Sequence, residues 1–169
     1  MKIFFLLFSA ALYVLSYSPF NYKILIFVSL VIFFKVIEDV SLKNKIRYTF
    51  FYAFLIHAFG VSWVSESLMT YGLMSIVGSI LVTTLFIIII SLPYILIALL
   101  HKPIKKNGIY NINLLAVIFL VAEYIKSLFF GGFPWLLIGN SQNGTIFNFI
   151  YPVFGLSLIH ISEPTRPSV

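Results

Sequence analysis

"LMSIVGSILVTTLFIIIISLPYILIALL", Leu73 to Leu100, runs for 28 residues without one ionisable group other than the Tyr94 phenol. A bilayer core takes about 20 apolar residues per helix, so this stretch is long enough to cross one. Its apolar residues do not alternate at period two, as those of a barrel strand would. Ser75, Ser79 and Thr83 recur at i, i+4 and i+8, the spacing of a small-residue face on which helices pack closely in lipid. Pro93 should kink the helix near one end, since its ring blocks an internal hydrogen bond.

Working outward, the rest of the chain has the same character. Hydrophobic residues make up 61% of the 169 positions, aromatics 18% and charged residues 9%, with a mean hydropathy of +1.07. That composition lies far from soluble domains. It predicts an all-α integral membrane protein, a polytopic helical bundle with five transmembrane helices: about Ile3 to Tyr17, Tyr22 to Ile37, Tyr48 to Val64, Leu73 to Leu100 and Ile112 to Phe130. The first two flank "SPFNYK", Ser18 to Lys23, where Pro19 stops the helix, so they should form a tight helical hairpin. The opening "MKIFFLLFSAALYVLS" also fits a secretory signal, with Lys2 as its basic end and Ser9, Ala10 and Ala11 near a cleavage site.

The formal charge of +6 does not point to nucleic acid, because the basic residues form no stripe with interleaved aromatics. They read as topology signals. The segment "KVIEDVSLKNKIR" at the end of the second span carries Lys35, Lys43, Lys45 and Arg47, and Lys102, Lys105 and Lys106 follow the fourth, whereas "SESLMTYG" between them carries Glu66 alone. By the positive-inside rule both basic loops are cytoplasmic. The N-terminus is then cytoplasmic too, and residues 131–144, "GGFPWLLIGNSQNG", face the outer side.

Several stretches are candidates for chemistry. Glu123 and Lys126 stand three apart in "AEYIKS", close enough to meet on one helix face. Charged groups at membrane depth need a partner or a polar cavity. The pair is either a structural ion pair with Lys126 snorkelling to the interface or an anchor for a polar or anionic headgroup. Trp63, Glu66 and Tyr71 close the third span as interfacial anchors or as a lipid-facing entrance. Gly131 and Gly132 end the fifth helix and Pro134 blocks its resumption, leaving Phe133 and Trp135 on irregular backbone. Such backbone must be buried in protein or line a wet cavity, so it forms either an aromatic loop tip or a pocket wall. His57 and His101 offer no metal spacing and are assigned no catalytic role; no metal or cofactor is expected. With no cysteine in the chain, disulfides, thiolate metal sites and a cysteine nucleophile are excluded within these residues.

The segments "YSPFNY", "GVSWVSES" followed by "YGLM", "AEYIKSLFFGGFPWLLIGNSQ" and "YPVFG" occur in the order and rough spacing of the N-terminal membrane half of the apolipoprotein N-acyltransferases, which the chain resembles over about Leu12 to Gly155. The most specific element is Gly132 to Trp135 followed by Gly139 to Gln142, with Glu123 and Lys126 before it. Lys126 stands where the family usually has arginine, Leu73 where a second glycine is common, and Asn140 where an aromatic is common. Lysine lacks the bidentate fork of arginine.

The resemblance implies a bacterial inner-membrane enzyme of lipoprotein maturation. A phospholipid acyl chain passes to an enzyme cysteine as a thioester and then to the amino group of a diacylglyceryl-cysteine at the apolipoprotein N-terminus. It also implies that the Glu, Lys and Cys of catalysis lie in a nitrilase-like domain outside residues 1–155, so that this chain alone is inactive. Lipid-pocket residues implied or suggested on this chain are Trp63, Glu66, Tyr71, Glu123, Lys126, Phe133, Pro134, Trp135, Ser141 and Gln142. The alternatives are a small transporter or channel subunit, or a non-catalytic membrane scaffold; no internal repeat of the kind common in transporters is visible. From Leu156 the text changes: "LSLIHISEPTR" resembles a translated sequencing-library adapter, so residues 156–169 are expected to be a non-native tail, in which His160, Glu163 and Arg166 carry no function. A natural disordered tail is the other reading.

Overall fold

The computed structural model describes residues 1–101, 112–129 and 133–145. Every regular element among them is helical: α1 (Lys2–Leu15), α2 (Leu25–Glu38), α3 (Leu42–Val61), α4 (Trp63–Thr70), α5 (Ile76–Ser91), a 3-10 turn (Leu92–Tyr94), α6 (Ile95–Leu100), α7 (Ile112–Ser127) and α8 (Ile138–Ser141). The helical bundle expected from the sequence is present.

The longer helices each bury a set of inward-facing residues. In α1 it is Leu6, Ser9, Ala10 and Tyr13, the i, i+3, i+4, i+7 pattern of one helix face. In α2 it is Ile26, Ser29, Phe33, Val36 and Ile37. The two faces meet at a pair of serines small enough for close approach: Ser9 Oγ donates to the Ser29 carbonyl at 2.7 Å and Ser29 Oγ to the Ser9 carbonyl at 2.6 Å. The Tyr52 hydroxyl of α3 reaches Ser29 Oγ at 2.8 Å, and its ring stacks on Phe33 at 4.1 Å. In α7, Leu115, Ile118, Phe119, Ala122, Glu123 and Lys126 are all buried, so both ionisable groups lie on the inward stripe. Phe119 packs edge-on to Tyr94 at 5.2 Å and tilted to Tyr13 at 6.5 Å, closing the centre of the bundle.

The span lengths need correction. α1 and α2 have 14 residues each, about 21 Å at the helical rise against an apolar core of about 30 Å. Tyr17 and Tyr22, expected at the span ends, fall in the turn. There Asn21 N–H donates to Tyr17 O at 2.9 Å and Tyr22 N–H to Leu15 O at 3.1 Å, forming the tight hairpin. Among the described residues one helical run, Ile76–Leu100, is long and apolar enough to cross a bilayer, with a mean hydropathy of 2.7. A second arises if α3 and α4 count as one span bent by 47°. Five full crossings are therefore not established by helix length.

The third expected span also breaks earlier than Val64. Gly60, Val61 and Ser62 are all poor helix formers, and the chain turns at Ser62 into α4, which has no buried residue. Pro93 sits in the 3-10 turn where a kink was expected, and helix resumes at Ile95. The small-residue stripe divides: Ser79 and Thr83 are buried, but Ser75 is exposed and caps α5, accepting from Gly78 N–H at 3.2 Å. The outward face of α5 and its continuation shows Val77, Leu81, Leu85 and Leu92, a continuous apolar stripe suited to lipid. The expected helix end at Gly131 and Gly132, the "YPVFG" segment and the boundary at Leu156 lie outside the described residues.

Candidate functional site

The loop from Phe133 to Asn143 is built from behind. Glu123, 4% exposed, accepts the Ile138 N–H at 3.0 and 3.2 Å and the Tyr13 hydroxyl at 3.0 Å. Lys126, fully buried, donates to the Trp135 carbonyl at 2.8 Å and lies 5.9 Å from the centre of the Tyr94 ring, within cation–π range. Tyr13 also stands 2.9 Å from the Leu136 carbonyl, and the Tyr17 hydroxyl donates to Tyr13 at 3.3 Å. Thus Trp135, Leu136 and Ile138 are each tied by backbone to a side chain from α7 or α1.

This changes the reading of the charged pair. Lys126 is buried rather than snorkelling to a surface, and neither group is among the residues that line the adjoining cleft. A polar loop backbone inside an apolar bundle leaves unmet donors and acceptors that cost free energy. Glu123 and Lys126 satisfy two of them, the Ile138 N–H and the Trp135 carbonyl, with charge-assisted hydrogen bonds, the stronger kind.

Held this way, the loop forms one wall of a cleft of about 680 Å³, within the range of small-molecule sites. The opposite wall is the hairpin turn from Tyr17 to Asn21, and the floor is Phe59 and Gly60 of α3. Gly60 leaves room there for the Leu136 side chain, since a Cβ would stand 2.5 Å from Leu136 Cδ1 and the leucine would have to shift. Polar groups from Tyr17, Asn140, Ser141 and Asn143 face the space. At the rim, Lys23 donates through Nζ to the Asn143 carbonyl, and Gln142 Nε2 donates to the Lys23 carbonyl at 3.2 Å and to Ser141 Oγ at 3.1 Å. Asn140 Nδ2 closes the loop on the Pro134 carbonyl at 2.8 Å.

Of the ten residues singled out in the sequence, Pro134, Trp135 and Ser141 line this cleft. Trp63 joins them indirectly, its ring 5.0 Å from Trp135, while Phe133 packs at 6.4 Å from Trp135 and edge-on to Phe86 at 4.9 Å. Glu123 and Lys126 stand behind the wall, and Gln142 ties its rim to Lys23. Glu66 and Tyr71 are not brought to it: Glu66 accepts from Thr70 Oγ1 at 3.2 Å on exposed α4, and Tyr71 points into the open. Sequence reasoning missed Tyr13, Tyr17, Asn21, Lys23 and Gly60. "YSPFNY" was noted as a motif, and that was the available signal for Tyr17 and Asn21.

The arrangement offers a cleft with polar lining but no thiol nucleophile. The chain has no cysteine, and among the described residues no group of three His, Cys, Asp or Glu could hold a metal ion. His57 is buried with Nδ1 3.0 Å from Ser91 Oγ, and His101 Nδ1 lies 3.0 Å from Lys45 Nζ at the opposite end of the bundle.

Residues 9–161 match the family profile described as apolipoprotein N-acyltransferase N-terminal domain. Among curated proteins, the chain is 31% identical over 150 residues to an apolipoprotein N-acyltransferase of Haemophilus influenzae, covering 88% of this chain and 28% of that protein. It is 29% identical over 151 residues to the Pasteurella multocida protein of the same name (89% and 28%). The Methylococcus capsulatus protein matches at 31% over 143 residues (83% and 28%). The chain thus spans less than a third of the length of these relatives.

Proposed function

The chain belongs to the apolipoprotein N-acyltransferase family, and from that premise we propose that it forms the membrane part of an enzyme that moves an acyl chain from a phospholipid to the N-terminal diacylglyceryl-cysteine of apolipoproteins. In this reading the chain lies in the bacterial inner membrane with five crossings. The N-terminus and the basic loops are cytoplasmic, and loop 131–144 is on the outer side. α1 and α2, too short to cross upright on their own, reach the interfaces through the flanking Tyr17 and Tyr22 and through Lys35 in the last turn of α2. The exposed apolar stripe of α5 and the lysine distribution support this placement.

The observation that carries the proposal is the cleft lined by Pro134, Trp135, Asn140 and Ser141 of the family's most specific motif, on a loop braced by Glu123 and Lys126. Its aromatic side, Phe20, Phe59 and Trp135 with Trp63 packed on Trp135, suits the boundary between acyl chain and headgroup. Its polar side, Tyr17, Asn140 and Ser141, suits the acyl ester groups that both lipid substrates carry. Trp63, Glu66 and Tyr71 on α4 and its end mark the lipid-facing approach. The thioester-forming cysteine lies outside these 169 residues, so the chain supplies lipid binding and the covalent step is completed elsewhere. The pathway role of a transporter loses its principal motif, because Glu123 and Lys126 are both engaged with loop backbone.

A chimera tests this. Residues 1–155 would replace the matching segment of the Haemophilus influenzae protein, and N-acylation of a diacylglyceryl peptide would be measured in membranes. Acylation is expected, with a loss of roughly tenfold or more in the Trp135→Ala chimera, as for a misplaced substrate. A chimera that inserts normally yet acylates nothing would sink the proposal.

A further inference from the structure

At the end of the bundle away from the loop, α1 and α2 enclose a second cavity, a trough of about 430 Å³ walled by Phe5, Ile32 and Val36 with Lys2 and Lys35 at its mouth. The wall is hydrocarbon and the mouth is cationic. Lys2 is fixed in place: its Nζ donates to the Val36 carbonyl at 3.3 Å and lies 6.0 Å from the centre of the Tyr48 ring. Lys35 sits one turn beyond Ile32 on the same face of α2 and is exposed. Glu38 and Asp39 follow at i+3 and i+4 but do not line the trough. Lys43, Lys45 and Arg47 begin α3 at the same end, so the surrounding charge is net positive.

We infer that this trough binds one anionic phospholipid of the cytoplasmic leaflet, an acyl chain lying against Phe5, Ile32 and Val36 and the phosphate set between Lys2 and Lys35. Two lysines at an apolar slot match a lipid whose phosphate is not offset by a headgroup cation. A zwitterionic lipid brings its own ammonium to the same place and loses much of the attraction. The site is separate from the cleft and from acyl transfer; it rests on the membrane placement proposed above.

The test uses the whole chain in neutral detergent micelles, titrated with phosphatidylglycerol or phosphatidylcholine and read by native mass spectrometry for retained lipid. Phosphatidylglycerol should be retained preferentially. Each lysine removed should weaken that retention about fivefold, so Lys35→Ala loses about fivefold and Lys2→Ala with Lys35→Ala about 30-fold. Ile32→Trp, which fills the trough and leaves the charges, should abolish retention of both lipids. Circular dichroism checks that each variant keeps its helix content. Equal retention of the two lipids by a chain that resists carbonate extraction from membranes overturns this inference alone, as does undiminished binding in the double variant. Extraction by carbonate would overturn the membrane placement and the inference together.

Discussion

Leu136 and Leu73 occupy the same left-handed backbone conformation, φ 57° and 51°, in two aromatic loops of one small bundle, yet they are 6% and 89% exposed. Left-handed backbone costs a branched L-residue about 1–2 kcal/mol. At Leu136 that cost is offset: the side chain packs over Gly60, and the carbonyl stands 2.9 Å from the Tyr13 hydroxyl. At Leu73 nothing offsets it. The difference teaches what turns an aromatic, glycine-bearing loop into a wall. Both loops have tryptophan or tyrosine and small polar residues, but the first alone has Glu123, Lys126 and Tyr13 reaching it from behind.

Removing that support is the largest way to break the contrast. Glu123→Ala leaves the Ile138 N–H and Lys126 without their anionic neighbour inside the bundle, and should cost about 3–5 kcal/mol. A fall in thermal midpoint in detergent would record it. Replacing both charges, as Glu123→Gln with Lys126→Met, should cost less than the sum of the single changes, since no lone buried charge remains. A double effect equal to the sum of the single effects would mean the two groups act independently on the loop.

Swapping the two leucines for glycine sharpens the comparison at intermediate size. Leu136→Gly gains backbone freedom but loses a buried side chain, a loss of about 2–5 kcal/mol, and should lower the midpoint. Leu73→Gly gains the same freedom and loses no packing, so it should stabilise the chain by about 1 kcal/mol. Opposite signs are the expectation, and two shifts of the same sign would mean that burial does not separate these loops. Glycine is also the residue that the family resemblance places at position 73.

The smallest effect is a control at the far end of the bundle. Burial, and next to it the Lys45 ammonium, hold the His101 imidazole below its ordinary range. The native state therefore resists protonating a group that the unfolded chain protonates freely. Stability should be constant above the ordinary histidine value of about 6.5 and should fall as pH drops below it. Thermal midpoints at pH 7.5 and 5.5 should differ in the native chain and converge in His101→Gln. The ratio of the two leucine effects should be unaffected, because His101 touches neither loop.

The helices, the hairpin at Pro19 and the turn at Pro93 were legible because each depends on neighbours in sequence: apolar spacing, or a proline that cannot donate. Span lengths were less so. Tyr17, Tyr22 and Val64 are apolar enough to extend a hydropathy count, but the chain turns at each end for reasons of packing that composition does not carry. The Glu123 and Lys126 pair was visible from its spacing of three. What it holds was not, since Tyr13 is 110 residues away and bonds to it across the bundle. A lone tyrosine in an apolar helix, or one glycine such as Gly60, announces nothing until its neighbour is known.

The serine pair between α1 and α2 has a consequence for the order of events during synthesis. Ser9 and Ser29 meet each other's carbonyls, so the first hairpin can close as soon as it leaves the ribosome, with its serine hydroxyls already satisfied. The Tyr13 hydroxyl, one turn along the same helix, has its acceptors on Glu123 and Leu136 and must wait for them. Residues 17–21 are likewise in place long before residues 134–143 arrive to face them. The cleft is therefore the last of the described structure to exist, and until α7 docks, nothing can be bound there.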